Sequence, residues 1–219
     1  IRQLSSQAVT VLENKEEILP FTHLDKKRFG VISVGKQNAQ PFVKRLQEYA
    51  PIENISRLNT QSTDKEIKGI VDVISHSTQT IIAIFSDKKE EIQLAEKILK
   101  KATGKVLVFF TSPYSIPKYE ELTAEAEAII VAYENNPVMQ ECAAEVLFGG
   151  TSADGKLPVS TGKYPQGSGI FIPECRLGHA FPEEVDMDSR ILSRIDSIVQ
   201  EGIDSMAFPG CQIIITRHK

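Results

Sequence analysis

The sequence contains little cysteine, no long apolar run and no excess of basic residues. Its three cysteines, Cys142, Cys175 and Cys211, are odd in number and far apart, so they form neither a metal-ligand spacing nor a disulfide framework. No apolar run approaches the ~20 residues that a membrane-spanning helix needs. Lysines and arginines are scattered among acids and the formal net charge is -4, so no basic stripe faces a phosphate backbone. We therefore expect no nucleic-acid partner, no membrane span, and no bound metal or cofactor.

The length is sufficient for one domain and an additional segment. The chain has 219 residues, of which 41% are hydrophobic, so it can bury a sizeable core. It begins at Ile1 with a predicted helix over 2–9, and it ends at Lys219 after a predicted apolar strand over 213–216. We expect further sequence on both sides. Residues 1–10 lack the charged start and apolar core of a signal peptide, so we expect any address signal upstream.

Short apolar runs alternate with longer amphipathic stretches from Arg28 onward. The runs predict strands over 29–34, 80–85, 105–110 and 128–132, with a weaker strand over 55–58. The amphipathic stretches predict helices over 41–49, 64–75, 88–102 and 138–148. Near-continuous apolar strands are typical of parallel sheets that are covered on both faces, and alternation with helices implies right-handed crossovers. The sequence therefore predicts an α/β fold, a doubly wound and mostly parallel sheet flanked by helices in a three-layer sandwich.

The pattern changes after Phe148. Residues 149–155 are turn-forming, and frequent prolines and glycines follow as far as Pro182, which predicts an irregular C-terminal extension that returns over the domain. Apolar residues at helical spacing then predict a helix over 187–206, which we expect to open another unit.

Several stretches resemble glycoside hydrolase family 3. Residues 132–137 (AYENNP), the helix after them, 147–150 (LFGG) and 155–160 (GKLPVS) are similar to the end of the accessory domain in that family. A helix, 8–14 (AVTVLEN) and 18–21 (ILPF) are similar to the family's join between barrel and second domain, where a core-packing strand precedes a leucine-proline turn. The resemblance covers about residues 1–175.

The resemblance implies a role within a larger enzyme. In that family a barrel, here expected before Ile1, holds a catalytic aspartate and, in the N-acetylglucosaminidase branch, a histidine with an aspartate partner. The resemblance implies that this chain is a non-catalytic accessory domain of a bacterial hydrolase of β-linked sugars. A β-N-acetylglucosaminidase is preferred over a β-glucosidase as the parent enzyme. The implied location of that enzyme is the periplasm or the cell surface. The implied partners are the barrel of the same polypeptide and, through it, the carbohydrate. Some β-glucosidase branches place an acid/base glutamate on the accessory domain, yet retaining hydrolysis needs two groups ~5 Å apart, so one domain supplies at most half.

The tail resembles a second family. Residues 193–198 (SRIDSI) and 208–215 (FPGCQIII) are similar to the first helix and strand of the serine β-lactamases and penicillin-binding proteins. We accordingly expect 1–27 to link to the barrel and 28–160 to form the accessory domain. An irregular linker is expected over 161–187, and the start of a truncated β-lactamase-like domain over 188–219.

Glu134 and Asn135 are the candidate substrate-binding residues, and no catalytic residue is predicted on this chain. Both follow the predicted strand 128–132, and ligands of open α/β sheets gather beyond the carboxyl ends of the strands. The alternative is that Asn135, Asn136 and Pro137 form a turn and cap the next helix.

The same rule predicts a shared crevice. Ser86 and Thr111 also come just past predicted strands, so we expect them to line one crevice with Glu134, where a ligand or the edge of the barrel would meet the domain.

Two other functions remain as alternatives. A small-ligand-binding, flavodoxin-like module needs a phosphate-binding loop, but Gly35 is a single glycine where that fingerprint needs several. A serine hydrolase fragment needs Ser-x-x-Lys at a helix start and a nearby Tyr-x-Asn, which residues 133–135 supply. Five Ser-x-x-Lys strings occur, beginning at Ser33, Ser62, Ser86, Ser115 and Ser160. Of these serines, Ser62 and Ser86 are better interpreted as helix caps.

The four histidines are isolated in the sequence, which predicts surface or packing roles for them: His23, His76, His179 and His218.

Overall fold

The computed structural model describes residues 2–217, without the side chain of Gln3. Ile1, His218 and Lys219 lie outside the described residues, and so does the role predicted for His218. The described chain forms two compact units, which divide between Arg176 and Leu177.

The first unit is built on one mixed sheet flanked by helices. The elements are α1 (Arg2–Ala8), β1 (Thr10–Asn14), β2 (Phe29–Val34), α2 (Gln40–Gln47), β3 (Asn54–Leu58), α3 (Asp64–His76), β4 (Gln79–Ile84), α4 (Lys89–Leu99), β5 (Lys105–Phe109), α5 (Glu120–Ala124), β6 (Ala128–Val131) and α6 (Pro137–Phe148).

The strands follow the order β1-β6-β5-β4-β2-β3, in which β1 is antiparallel to β6 and the other neighbours are parallel. The predicted α/β fold is therefore confirmed. When the five parallel strands are numbered by themselves, they have the 2-1-3-4-5 order of one doubly wound class.

Both faces of the sheet are covered. One face packs against α2 and α6, through side chains such as Phe42 and Val146. The other packs against α3, α4 and α5, through side chains such as Ile70 and Leu99. Successive strand residues alternate between these layers, which is why the central strands are apolar at every position.

The antiparallel strand β1 lies in a region that the strand and helix pattern did not assign to the sheet. Thr10 pairs with Val131, and the outer side of β1 forms an antiparallel bridge between Val11 and Ile170. Ile172 exchanges backbone hydrogen bonds of 2.9 Å with Ala153. The irregular segment therefore returns over the domain, as predicted.

Helix α4 ends earlier than its periodicity predicts. It stops at Leu99, and Gly104 has a left-handed φ of 55° in the turn before β5. A Cβ at this position would lie 2.4 Å from the carbonyl oxygen of Thr78. The glycine is required by close backbone packing and by its φ value.

The second unit differs from the sequence-based expectation. The helix predicted over 187–206 forms as two shorter helices that divide at Ser193, α7 (Ser189–Leu192) and α8 (Arg194–Asp204). The strand predicted over 213–216 is wrong. A strand requires a hydrogen-bonded neighbour, and the described part of the tail offers none to this apolar segment. Many apolar side chains remain exposed, including Ile198 and Ile214 at 66% and 80%.

We predict that the tail contributes nothing to the stability of the first unit. A chain that ends at Arg176 should keep the Tm of the 219-residue chain, since the sheet and both of its layers lie within the first unit. Thermal unfolding followed by circular dichroism measures this. A large fall in Tm would show that the tail belongs to the same cooperative unit.

A chain that ends at Gly167 provides the contrast. It loses the Ile170 bridge to β1 and the side chain of Ile172, which is only 2% exposed. Burial of one such side chain is worth about 1.5–3 kcal/mol, so this variant should be measurably less stable than the one that ends at Arg176.

Candidate functional site

The carboxyl ends of β4, β5 and β6 meet at one edge of the sheet. Ile84 pairs with Phe109, and Phe109 pairs with Val131, all in parallel register. Ser86, Thr111 and Glu134 follow these three strand ends. The structure therefore places them beyond the same edge, here called the carboxyl rim.

Ser86 and Thr111 use their hydroxyls within the rim. The Ser86 Oγ accepts a hydrogen bond of 3.2 Å from the backbone N–H of Lys88, and the Ser86 side chain is buried. The Thr111 Oγ1 lies 2.6 Å from the Ser115 Oγ. These contacts hold the loops after β4 and β5 in place.

Glu134 follows a strained turn. Tyr133 has a φ of 61°, and the N–H of Glu134 donates to the carbonyl of Ala132 at 2.6 Å, which closes a three-residue turn. The phenol of Tyr133 lies 2.7 Å from the Thr10 Oγ1, so β1 holds the turn from below. Burial raises the pKa of the Tyr133 phenol. Left-handed non-glycine residues of this kind concentrate at functional sites.

The Glu134 carboxylate is exposed, and Asn136 approaches it. The Asn136 Nδ2 donates to the Glu134 Oε2 at 3.2 Å, while the Asn136 Oδ1 accepts from the N–H of Met139 and caps α6. The turn-and-cap alternative is thus correct for Asn136. Glu134 therefore presents an exposed carboxylate at this strand end.

Asn135 is held by a buried glutamine that the sequence did not single out. Gln140 is 2% exposed, and its Nε2 donates to the Asn135 Oδ1 at 2.6 Å and to the Asn38 carbonyl at 2.9 Å. Its Oε1 accepts from the N–H of Phe42 at 3.1 Å. Gln140 therefore joins the loops after β2 and β6 to the start of α2. The only signal in the sequence is a polar residue within a helix most of whose residues are apolar.

A second polar cluster lies along α6. Glu141 accepts hydrogen bonds from Arg2 at 2.8 Å and from Arg45 at 3.0 Å, and Glu145 pairs with the same two arginines. Burial opposes ionisation of Glu141, but the two arginine hydrogen bonds outweigh it and hold the pKa of Glu141 below its usual value. Glu145 is more deeply buried, and its pKa is raised by that burial despite Arg2 and Arg45. The cluster fastens α1 and α2 to α6.

The requirements of a serine hydrolase are not met by the described contacts. The Ser115 Oγ donates to the Ser112 carbonyl, and the Ser160 Oγ accepts from the N–H of Gln166. The predicted caps are wrong for both Ser62 and Ser86, because Thr63 is the N-cap of α3 and Lys88 is the N-cap of α4. Across residues 2–217, none of the five serines forms a hydrogen bond to the lysine of its own Ser-x-x-Lys string: Ser33, Ser62, Ser86, Ser115 and Ser160.

The described residues offer no metal site. Within them, no group of three or more His, Cys, Asp or Glu side chains could hold a metal ion. His23, His76 and His179 are exposed, which agrees with the surface roles predicted for them. No helix in this part of the chain is long and apolar enough to cross a membrane.

The fold is shared with enzymes of glycoside hydrolase family 3. A fungal multi-domain β-N-acetylglucosaminidase of that family, which has a GCN5-related glucosamine N-acetyltransferase region, matches 75% of this chain with a TM-score of 0.61 and 17% identity. A Listeria innocua β-glucosidase in complex with isofagomine matches 76% with a TM-score of 0.58 and 15% identity. A family 3 β-N-acetylglucosaminidase from Paenibacillus sp. str. FPU-7 matches 68% with a TM-score of 0.53 and 18% identity.

These likenesses are at the level of fold. The chain spans 19%, 27% and 29% of the lengths of those three proteins. No family model and no curated protein matches the sequence.

We predict that Gln140→Leu destabilises the domain by roughly 2–4 kcal/mol. The substitution keeps the size of the side chain but leaves the Phe42 N–H and the Asn38 carbonyl without their partner, and each unsatisfied buried group is costly. Urea unfolding measures the loss. Gln93→Leu on the exposed side of α4 is the matched control and should have little effect. Equal losses in the two variants would contradict the role given to Gln140.

We predict that Glu141→Gln costs about 1–3 kcal/mol at neutral pH, because two charge-assisted hydrogen bonds weaken. The pKa of Glu141 is lower in the folded state, so its contribution is present above the unfolded value of about 4.3 and is lost as the pH falls through the folded value. The variant and the native chain should therefore converge in stability at acid pH.

Glu121→Gln is the control for this prediction. The side chains of Glu121 and Lys100, which form an ion pair, are both more than half exposed. Ion pairs of this kind contribute little to the free energy of unfolding. Stability curves measured from acid to neutral pH for the three chains decide the matter. A Glu141→Gln deficit that persists unchanged in acid would contradict the assignment.

Proposed function

We propose that the first unit is an accessory domain of a family 3 glycoside hydrolase, which packs against the catalytic barrel of the same polypeptide. The observation that carries this proposal is the sheet, in which an antiparallel first strand is added to five parallel strands. The same fold covers 68–76% of the chain in enzymes of that family. The stretches at 132–137 and 155–160 resemble the same family, although no family model matches the sequence.

We propose that the parent enzyme acts on β-linked sugars, with a β-N-acetylglucosaminidase preferred over a β-glucosidase. The name of the similar structure with a TM-score of 0.61 contains β-N-acetylglucosaminidase, and so does the name of the Paenibacillus enzyme, while the Listeria innocua enzyme is a β-glucosidase. The catalytic pair would lie on the barrel, and this domain would contribute no reacting group.

The carboxyl rim would shape one wall of the substrate cleft. Glu134 presents an exposed carboxylate, and Asn135 is fixed beside it by Gln140. Carboxylate and amide groups that are held in place suit the hydroxyl groups of a sugar. The strained turn at Tyr133 would set the direction of Glu134.

The tail would begin a β-lactamase-like domain. Residues 193–198 fall at the start of α8, so the helix that the resemblance implies is present.

We predict that the 219-residue chain hydrolyses neither 4-nitrophenyl β-N-acetylglucosaminide nor the β-glucoside. Extension through the upstream reading frame should add a barrel with a catalytic aspartate, and the extended protein should hydrolyse one of the two substrates. Release of 4-nitrophenol measures both. Turnover by the short chain that Glu134→Gln abolishes would overturn the proposal, as would an upstream frame that encodes no barrel.

In the extended protein, Glu134→Gln should raise KM and leave kcat close to that of the native enzyme, because the side chain would contact substrate without reacting. Glu90→Gln, an exposed glutamate on α4, is the control. A fall in kcat of about a hundredfold or more would instead assign Glu134 as an acid/base group.

A further inference from the structure

The two edges of the sheet differ in whether another segment of the chain pairs with them. The outer side of β1 is met by Ile170, whose N–H donates to the Val11 carbonyl at 2.7 Å. Strand β3, at the other end, pairs with β2 on one side and with no other strand among residues 2–217. An open edge of this kind is a template for pairing with another chain.

The backbone of β3 shows which groups are available. The Leu58 carbonyl accepts from the N–H of Gly35 at 2.8 Å, so the backbone groups of Leu58 point toward β2. The backbone groups of every second residue before Leu58 in β3 point the same way. Ile55 and Arg57 have the opposite phase and direct their N–H and C=O groups outward, and Glu53, one residue before β3, would share this phase when pairing extends the strand. The Arg57 carbonyl receives a long contact of 3.5 Å from the Ser62 Oγ, which leaves its second lone pair available.

The side chains of Ile55 and Arg57 share one face of the sheet and are exposed, and Glu53 is exposed directly before β3. Ile55 pairs with Val31 and is 42% exposed, which is high for an apolar residue on a strand. A groove of about 490 Å³ beside α2 is lined in part by Ile55 and Arg57. Within the described residues, neither Glu53 nor Arg57 takes part in an ion pair.

We propose that β3 pairs with β3 of a second copy, antiparallel and with Ile55 on the two-fold axis. Ile55 would then face Ile55 of the second copy. Glu53 would face Arg57 of the second copy, and Arg57 would face Glu53. The two sheets would join into one continuous sheet, with each outward N–H of these residues donating to a C=O of the other copy.

Charge complementarity selects this register. Moving the two-fold axis by one residue toward Arg57 places Ile55 opposite Arg57, and moving it the other way places Ile55 opposite Glu53. Only the register centred on Ile55 puts opposite charges directly across from each other and apolar side chains together on the axis. Directly opposed pairs are the unit of stabilisation in antiparallel strands. The inference does not depend on the barrel.

Sedimentation velocity of the 219-residue chain over a concentration series tests the proposal. A monomer–dimer equilibrium is expected. Arg57→Glu places two glutamates opposite each other at both ends of the interface and should raise the dimer Kd about tenfold or more. Glu53→Arg should have the same effect. The double variant Glu53→Arg with Arg57→Glu restores opposite charges and should return the Kd toward that of the native chain.

Lys97→Glu on α4 is the control, because it reverses an exposed charge in the opposite layer and should leave the Kd unchanged. Circular dichroism of each variant confirms that the fold is kept. A chain that stays monomeric at every concentration overturns the proposal. A dimer that Arg57→Glu does not weaken, or that the double variant does not restore, overturns it as well.

Discussion

The burial of α6 on nearly all sides is the constraint on which the first unit depends. A helix in this position cannot turn its polar side chains to water, so each of them must find a partner inside the protein. Gln140 finds its partners in two loops, and Glu141 and Glu145 find theirs in Arg2 and Arg45. The positions of α1, α2 and the loops after β2 and β6 follow from these requirements.

The carboxyl rim inherits its rigidity from that helix. Asn136 caps α6, Asn135 is tied to Gln140, and Tyr133 reaches back to Thr10 on β1. These three neighbours of Glu134 are each held by a hydrogen bond, while the Glu134 carboxylate itself remains exposed. A carboxylate on such a rigid support can orient a bound molecule, but its backbone cannot move to adapt to that molecule.

The sequence predicts the central strands because their apolar runs are long and the sheet is buried on both faces. It predicts less where stability comes from distant partners. Strand β1 has no such run and belongs to the sheet only through β6. Arg2 lies 139 positions from Glu141, and Gln140 lies 102 positions from Asn38, so no local pattern could connect them. Glu134 and Asn135 could be predicted as candidate site residues because the end of a strand is a local feature of the sequence. The strained backbone at Tyr133 could not be predicted in this way.

The pairing of β1 with β6 has a consequence for the order in which the chain can assemble. The strand of this sheet that is synthesised first has the strand that is synthesised last as its neighbour, and Thr10 must wait for Val131. Until then β1 is an amphipathic segment without a partner, because closing so long a loop costs entropy before any contact forms. Synthesis therefore imposes a delay on the sheet, which becomes complete only after nearly every other element of the unit has been made.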